Sequence, residues 1–270
     1  MGFGNPAHLR HPLAMRFLAL PAALLATCGL PAQPVPPAKV VPPTQDNGAP
    51  LDPVWKHEAD LDVSGRSGNV SASGLAAGIR ATGEHANISR TTLALRGRNA
   101  TQESVKSADD LRGQAAHERT LAERTFWYVR ADAGYDRVRN LDLAALGSAG
   151  LGYRFLKDAR GSLDLRAGLG YRQEEGSGGV EDVSAAALDA GLNLERDLGW
   201  GRLRIQLDLV PSLEDLSDLA LRHEASLEML GKDGPLSLRI GLLQDYRSEV
   251  APAEEKLQNT YFVRLVYRWQ

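Results

Sequence analysis

The chain has 270 residues, 24% of them charged, with 31 basic and 34 acidic side chains and a formal net charge of -3. That balance gives no reason to expect nucleic acid as a partner. A single cysteine, Cys28, excludes an internal disulfide and any multi-cysteine metal site, and the mean hydropathy of -0.28 fits either a soluble protein or a membrane barrel of half-polar strands.

No acid precedes Asp46, and Arg10 and Arg16 lead into an apolar run that extends to Leu30. A basic start, a short apolar stretch and small residues after it describe a secretory signal peptide. The run is too short, and too interrupted by Pro21, for a transmembrane helix. Residues 1–32 are assigned to the signal, with cleavage after Ala32 and with Met15 as an alternative start giving a more compact leader. Leu25-Ala26-Thr27-Cys28 loosely resembles a lipoprotein cleavage box, but Thr before the cysteine is unusual, so Cys28 is expected to leave with the signal. Residues 33–52 are rich in proline, which favours extended chain and builds no core; a periplasmic linker is expected there.

From residue 53 the apolar signal alternates with a period of two. About twelve segments carry it, near 53–64, 71–82, 86–97, 108–120, 124–135, 141–155, 161–172, 184–196, 201–210, 218–230, 235–246 and 258–269. The pattern is weakest across 86–120, where Thr, Ala and Gly blur it. In the first segment Trp55, Ala59, Leu61 and Val63 oppose Glu58, Asp60 and Asp62. In 162–172, Leu163, Leu165, Ala167, Leu169 and Tyr171 oppose Asp164, Arg166, Gly168, Gly170 and Arg172. In 202–209, Leu203, Ile205, Leu207 and Leu209 oppose Arg202, Arg204, Gln206 and Asp208. In the last segment Tyr261, Val263, Leu265, Tyr267 and Trp269 oppose Thr260, Arg264 and Arg268, with Phe262 and Val266 as apolar exceptions on the second face. Successive strand residues point to opposite sides, so each segment has an oily face and a charged face.

Short connections near 83–84, 157–160, 197–200 and 231–234 alternate with longer polar ones near 64–70, 99–107, 173–182 and 247–256, a membrane-barrel pattern. A soluble sandwich or lipocalin-like barrel also alternates, but its strands are usually about 5–6 residues against the 10–13 here. A soluble barrel of about twelve strands would turn its oily face into an interior too wide to fill. Aromatics at the strand ends (Trp55, Tyr171, Tyr261, Tyr267 and Trp269) suit a membrane interface. An even strand number puts both termini on the short-turn side. Closure then pairs the first strand with the last, which sets Glu58, Asp60 and Asp62 against Arg264 and Arg268.

Trp55 at the start of the first strand, with Ser67-Gly68-Asn69 in the first hairpin, resembles the salt-induced outer-membrane protein family, a domain of unknown function. Gly150-Leu-Gly-Tyr-Arg154 and Gly168-Leu-Gly-Tyr-Arg172 look like that family's glycine-tyrosine strand motif, and Val266-Tyr-Arg-Trp269 like its closing strand. The resemblance covers about residues 53–270. It implies an outer-membrane barrel, suggests a tie to salt or osmotic stress, and implies no defined activity.

Little in the sequence points to chemistry. Gly147-Ser-Ala-Gly-Leu-Gly152 has the wrong glycine order for a dinucleotide loop and no helix pattern follows it. Gly150, Gly152, Gly168 and Gly170 lie on the polar face, where missing side chains make room inside a barrel. The histidines available to a hydrolase are His57, His85, His117 and His223, with no Gly-x-Ser-x-Gly and no His-Glu-x-x-His. His57 and His223 fall on apolar faces; the side taken by His117 is left open.

The charges expected to face the lumen are Glu58, Asp60, Asp62, Asp164, Arg166, Arg172, Arg202, Arg204, Asp208, Arg222, Glu224, Glu228, Arg239, Arg264 and Arg268. Facing lipid at mid-depth, an Arg or Lys would cost about 2–4 kcal/mol. The expectation is an all-β, antiparallel up-and-down transmembrane β-barrel of about twelve strands over residues 53–270. It would be a monomer in the outer membrane of a Gram-negative bacterium, surrounded by lipid and inserted by the barrel-assembly machinery, with no cofactor, metal or nucleic acid. A structural or porin-like envelope role follows, with an outer-membrane hydrolase acting on lipid or lipopolysaccharide as the alternative.

Overall fold

The computed structural model describes residues 52–270 apart from 68–71, 87, 103–104, 180, 231–233, 249 and 251–254. The expectations for the signal, its cleavage site and all but the last residue of the linker lie outside the described residues. Twelve strands follow in chain order: β1 (Val54–Ser67), β2 (Ala72–His85), β3 (Ser89–Gln102), β4 (Val105–Thr120), β5 (Thr125–Asp136), β6 (Leu141–Asp158), β7 (Gly161–Gly176), β8 (Val183–Asp197), β9 (Arg202–Pro211), β10 (Leu219–Leu230), β11 (Leu236–Arg247) and β12 (Leu257–Trp269). Each pairs antiparallel with its chain neighbours, and β1 pairs with β12 to close the barrel.

The alternating sequence forces this closure. Residues level with one another on adjacent strands share a face, so the parity set in β1 is carried around the ring. Glu58 lies level with Arg268 on one side and Arg80 on the other, and Asp62 with Arg264 and Ala76. The intervening Leu61 and Val63 point outward and are 55% and 60% exposed. Leu75, Ile79, Leu151, Leu169 and Val263 continue that exposed apolar belt on other strands. Such a belt far exceeds the few hundred Å² of apolar patch that water-facing proteins tolerate. Closure leaves no strand edge, so every ladder has a partner.

Aromatic side chains bound the belt. Trp55, Trp127, Tyr153, Tyr267 and Trp269 lie toward the end that carries both termini, where Tyr267 and Trp269 rings are 5.7 Å apart. Tyr135, Tyr171, Tyr246 and Tyr261 lie toward the far end. From Tyr261 to Trp269 the strand runs about 27 Å, or roughly 20 Å along the barrel axis at the usual tilt, close to the roughly 25 Å apolar band of outer-membrane barrels.

Several strands, β1, β4, β6 and β7 among them, run longer than the alternation predicts. The loop expected at 99–107 is largely ladder, with Asn99 level with Asp109 and Thr101 with Lys106. β1 and β7 likewise reach into the expected loops at 64–70 and 173–182. Backbone pairing does not need an apolar side chain, so the ladders continue beyond the oily band while the sequence pattern stops at its edge.

Candidate functional site: the lumen

The inward faces carry charges that meet one another and bind each other in layers. Toward the terminal end, Glu228 of β10 is completely buried. It accepts from Ser237 Oγ at 2.9 Å, Arg239 Nη2 at 2.8 Å and Arg268 Nη2 at 2.8 Å. Glu58 accepts from the same two arginines, at 3.1 Å from Arg239 and 3.0 Å from Arg268. Arg204 stands 3.9 Å from Glu58 and 3.8 Å from Glu228, outside hydrogen-bond range, and joins Arg202 beside Glu195 at 3.6 and 3.3 Å.

The closing seam is ionic. Arg264 Nε donates to Asp62 at 3.2 Å and stands 3.4 Å from Asp60, and its Nη1 lies 3.5 Å from Glu224. Arg96, from β3, bonds both Asp60 and Asp62. The Arg264 guanidinium also lies 4.2 Å from the Phe262 ring centre, which accounts for one aromatic on this otherwise polar face.

A second cluster crosses the lumen at mid-depth. Arg130 of β5 donates to Asp132 at 2.6 Å and to Asp208 of β9 at 2.9 Å. Arg166 of β7 bonds the same Asp208, and Gln206 donates to it at 2.7 Å. Asp189 of β8 is completely buried and accepts from Tyr128 at 3.0 Å and Ser148 at 2.6 Å. β5 and β9 stand four places apart around the ring, so these side chains bridge the lumen and do not simply line one wall. Two glycines make room for it. A Cβ on Gly168 would lie 2.5 Å from the Tyr128 hydroxyl, and one on Gly191 would collide with the Arg166 guanidinium.

Between this cluster and the far end lies a cavity of about 140 Å³, with Arg130, Asp132 and Asp208 as its floor. Its walls carry further pairs: Arg98 with Asp110 at 2.8 Å, Arg222 with Asp245 at 3.2 Å and Arg247 with Glu174 at 2.5 Å. Arg172, also lining it, bonds Asp218.

Of the expected lumenal charges, all face inward by register, and Asp164 differs in having no ion pair within 4 Å among the described residues; its ladder neighbours are Arg154 and Asn193. The sequence reading missed Arg96, Arg98, Asp110, Arg112, Arg130, Asp132, Asp189 and Asp245. Alternation in β5 could have found Arg130 and Asp132, since Phe126 and Tyr128 share their face against Trp127, Val129 and Ala131. The five aromatics expected at the interface all point outward.

His57, His117 and His223 lie outside the lumen. His57 stacks on Trp269 at 5.3 Å. His117, whose side was open, faces outward: it shares a hydrogen bond of 2.9 Å with Thr91 Oγ1 and lies against Trp127. His223 shares one of 3.0 Å with Gln244 Oε1.

A protein-family model described as a protein of unknown function, DUF481, matches residues 59–269. No functionally curated protein matches the chain. Among solved structures, the NanC porin is similar over 77% of this chain and 98% of its own, at 11% identity and a TM-score of 0.50. The COG4313 outer membrane channel from Pseudomonas putida F1 is similar over 85% and 100%, at 12% identity and a TM-score of 0.46. The likeness to NanC is one of fold: a closed all-β barrel of the outer-membrane kind.

Proposed function

The chain belongs to the DUF481 family of proteins of unknown function, and we propose that it is a porin-like outer-membrane barrel held shut at mid-depth by ion pairs. The observation that carries this is the reach of Arg130 from β5 to Asp208 in β9, beside a completely buried Asp189. A wide, water-filled lumen would hydrate such groups separately. Groups that have given up water must instead be held by partners, and here each has more than one.

In this reading the termini and short turns face the periplasm and the cavity opens toward the outside. The chain reaches the outer membrane of a Gram-negative bacterium after losing its signal peptide, is inserted by the barrel-assembly machinery, and stands as a monomer in lipid. Its role is in the envelope and not catalytic. The tie to salt or osmotic stress rests on the resemblance carried by Trp55, the two Gly-Leu-Gly-Tyr-Arg segments and the closing strand.

Single-channel recording in planar bilayers tests the closed lumen. The wild-type barrel should be silent or show only brief, small openings. Asp208→Ala, which removes the acid that ties Arg130 and Arg166 together across the lumen, should give frequent discrete steps. Large, steady openings in the wild type would overturn the proposal.

A further inference from the structure

We infer that the far-end cavity is a binding site for a small oxyanion, a solute bearing a carboxylate or phosphate, gripped by the guanidinium of Arg112. The argument is a charge account of the cavity wall. Six carboxylates line it, and five are committed to groups other than Arg112. Asp110 is held by Arg98, Asp245 by Arg222, and Glu174 by Arg247. Asp208 is shared by Arg130 and Arg166. Asp136 caps the 3-10 turn Arg137–Arg139, accepting from the N–H groups of Val138 and Arg139.

The sixth carboxylate, Asp132, is bonded by Arg130 at 2.6 Å and reaches Arg112 only at 3.7 Å. That separation is an attraction without a hydrogen bond. Arg112 is therefore a cavity arginine whose nearest acid is hydrogen-bonded to another residue. Its side chain is 43% exposed, although its Cα lies level with the inward-facing Arg96 and Gly134. Gly134 puts no side chain beside it. The result is a planar fork of N–H donors opening into the cavity, with Arg222 of β10 facing it from the opposite wall. A guanidinium so placed matches a carboxylate or phosphate through two parallel hydrogen bonds. The roughly 140 Å³ of space admits an anionic group the size of a phosphate or a small carboxylate.

The full-length protein, folded into lipid vesicles, can be melted in inorganic phosphate and in sodium chloride of equal ionic strength. Phosphate should raise Tm saturably above the chloride value. Arg112→Gln should weaken the apparent phosphate affinity by about tenfold or more, since hydrogen bonds to a charged group are lost. Arg112→Lys, which keeps the charge and loses the fork, should fall between them. Arg119→Gln removes the same charge from the outer face and should leave phosphate binding unchanged. Equal melting in phosphate and chloride would overturn the inference. So would unchanged affinity in Arg112→Gln, or an equal loss in Arg119→Gln, which would mark a bulk charge effect. Steady conductance in the wild type would sink the closed-lumen reading and leave the phosphate measurement intact, so the two fail separately.

Discussion

Replacing Glu228 by Gln tests whether the lumenal ion pairs hold the barrel together or are merely tolerated. Gln keeps the volume and one carbonyl acceptor. It removes the charge and turns an NH2 toward the guanidinium groups of Arg239 and Arg268. Breaking a buried pair by neutralising one partner costs about 3–5 kcal/mol when the other is left uncompensated. Two features discount that figure here. Arg239 keeps Glu58 at 3.1 Å, and the Arg268 side chain is 30% exposed to the lumen and so partly screened. The expected loss is about 2–3 kcal/mol. Ser237→Ala, which removes one neutral donor from the same carboxylate, should cost about 1 kcal/mol. Equilibrium urea unfolding from vesicles, followed by tryptophan fluorescence, measures both. If Glu228→Gln costs no more than Glu175→Gln, an exposed acid at the far end of β7, the lumen is hydrated enough to make the pairs incidental, and the reasoning fails.

Leu207 and Gln206 are adjacent but face opposite ways, so Leu207→Arg should cost about 2–4 kcal/mol in vesicles while Gln206→Arg costs much less; equal folding yields would mean the faces are misassigned. Gly168→Val should cost about 1–3 kcal/mol by pressing on Tyr128 and the backbone oxygen of Ala149, whereas Gly147→Ala, whose added Cβ meets nothing within 4 Å, should be neutral in the same unfolding assay. Arg264→Glu should lower Tm by setting a third acid beside Asp62 and Asp60. Adding Asp62→Arg should restore only part of the loss, because Arg96 then meets a like charge where it had a partner; full recovery would show that Arg96 takes no part in the seam.

How much of this is legible in the sequence depends on which solvent each face answers to. Lipid demands apolar side chains, so the outward faces of β7, β9 and β12 are plain from Leu, Ile and aromatic residues at every second position. On β2 and β4 the outward residues include Ala77, Ala81, Gly113 and Ala115, which lipid accepts equally well, and the contrast fades. Asp189 is hard to find for the mirror reason: its inward neighbours are Ala185, Ala187 and Gly191. Parity then says that a charge points inward, but not which charge it meets. Arg130 and Asp208 are 78 residues apart and belong to strands that never touch; only the tilt and stagger of the closed ring bring them together.

The two patterns constrain the register in different ways. A slip of one residue between β1 and β12 would turn every charge of one strand toward lipid, and the oily alternation alone forbids it. A slip of two keeps every face correct, and alternation is blind to it. Such a slip would move Arg268 off Glu58 and Arg264 off Asp62, the level pairs of the seam. It would also pull Arg268 away from Glu228 two strands on. The ion pairs thus supply the even-numbered part of the register that the apolar pattern leaves open. Each is worth only about 0.2–1 kcal/mol as a cross-strand pair. A slip of two gives up both level pairs and regains only one, Asp60 with Arg264 or Arg268, and the net loss is what selects a single closed ring from those that satisfy lipid equally well.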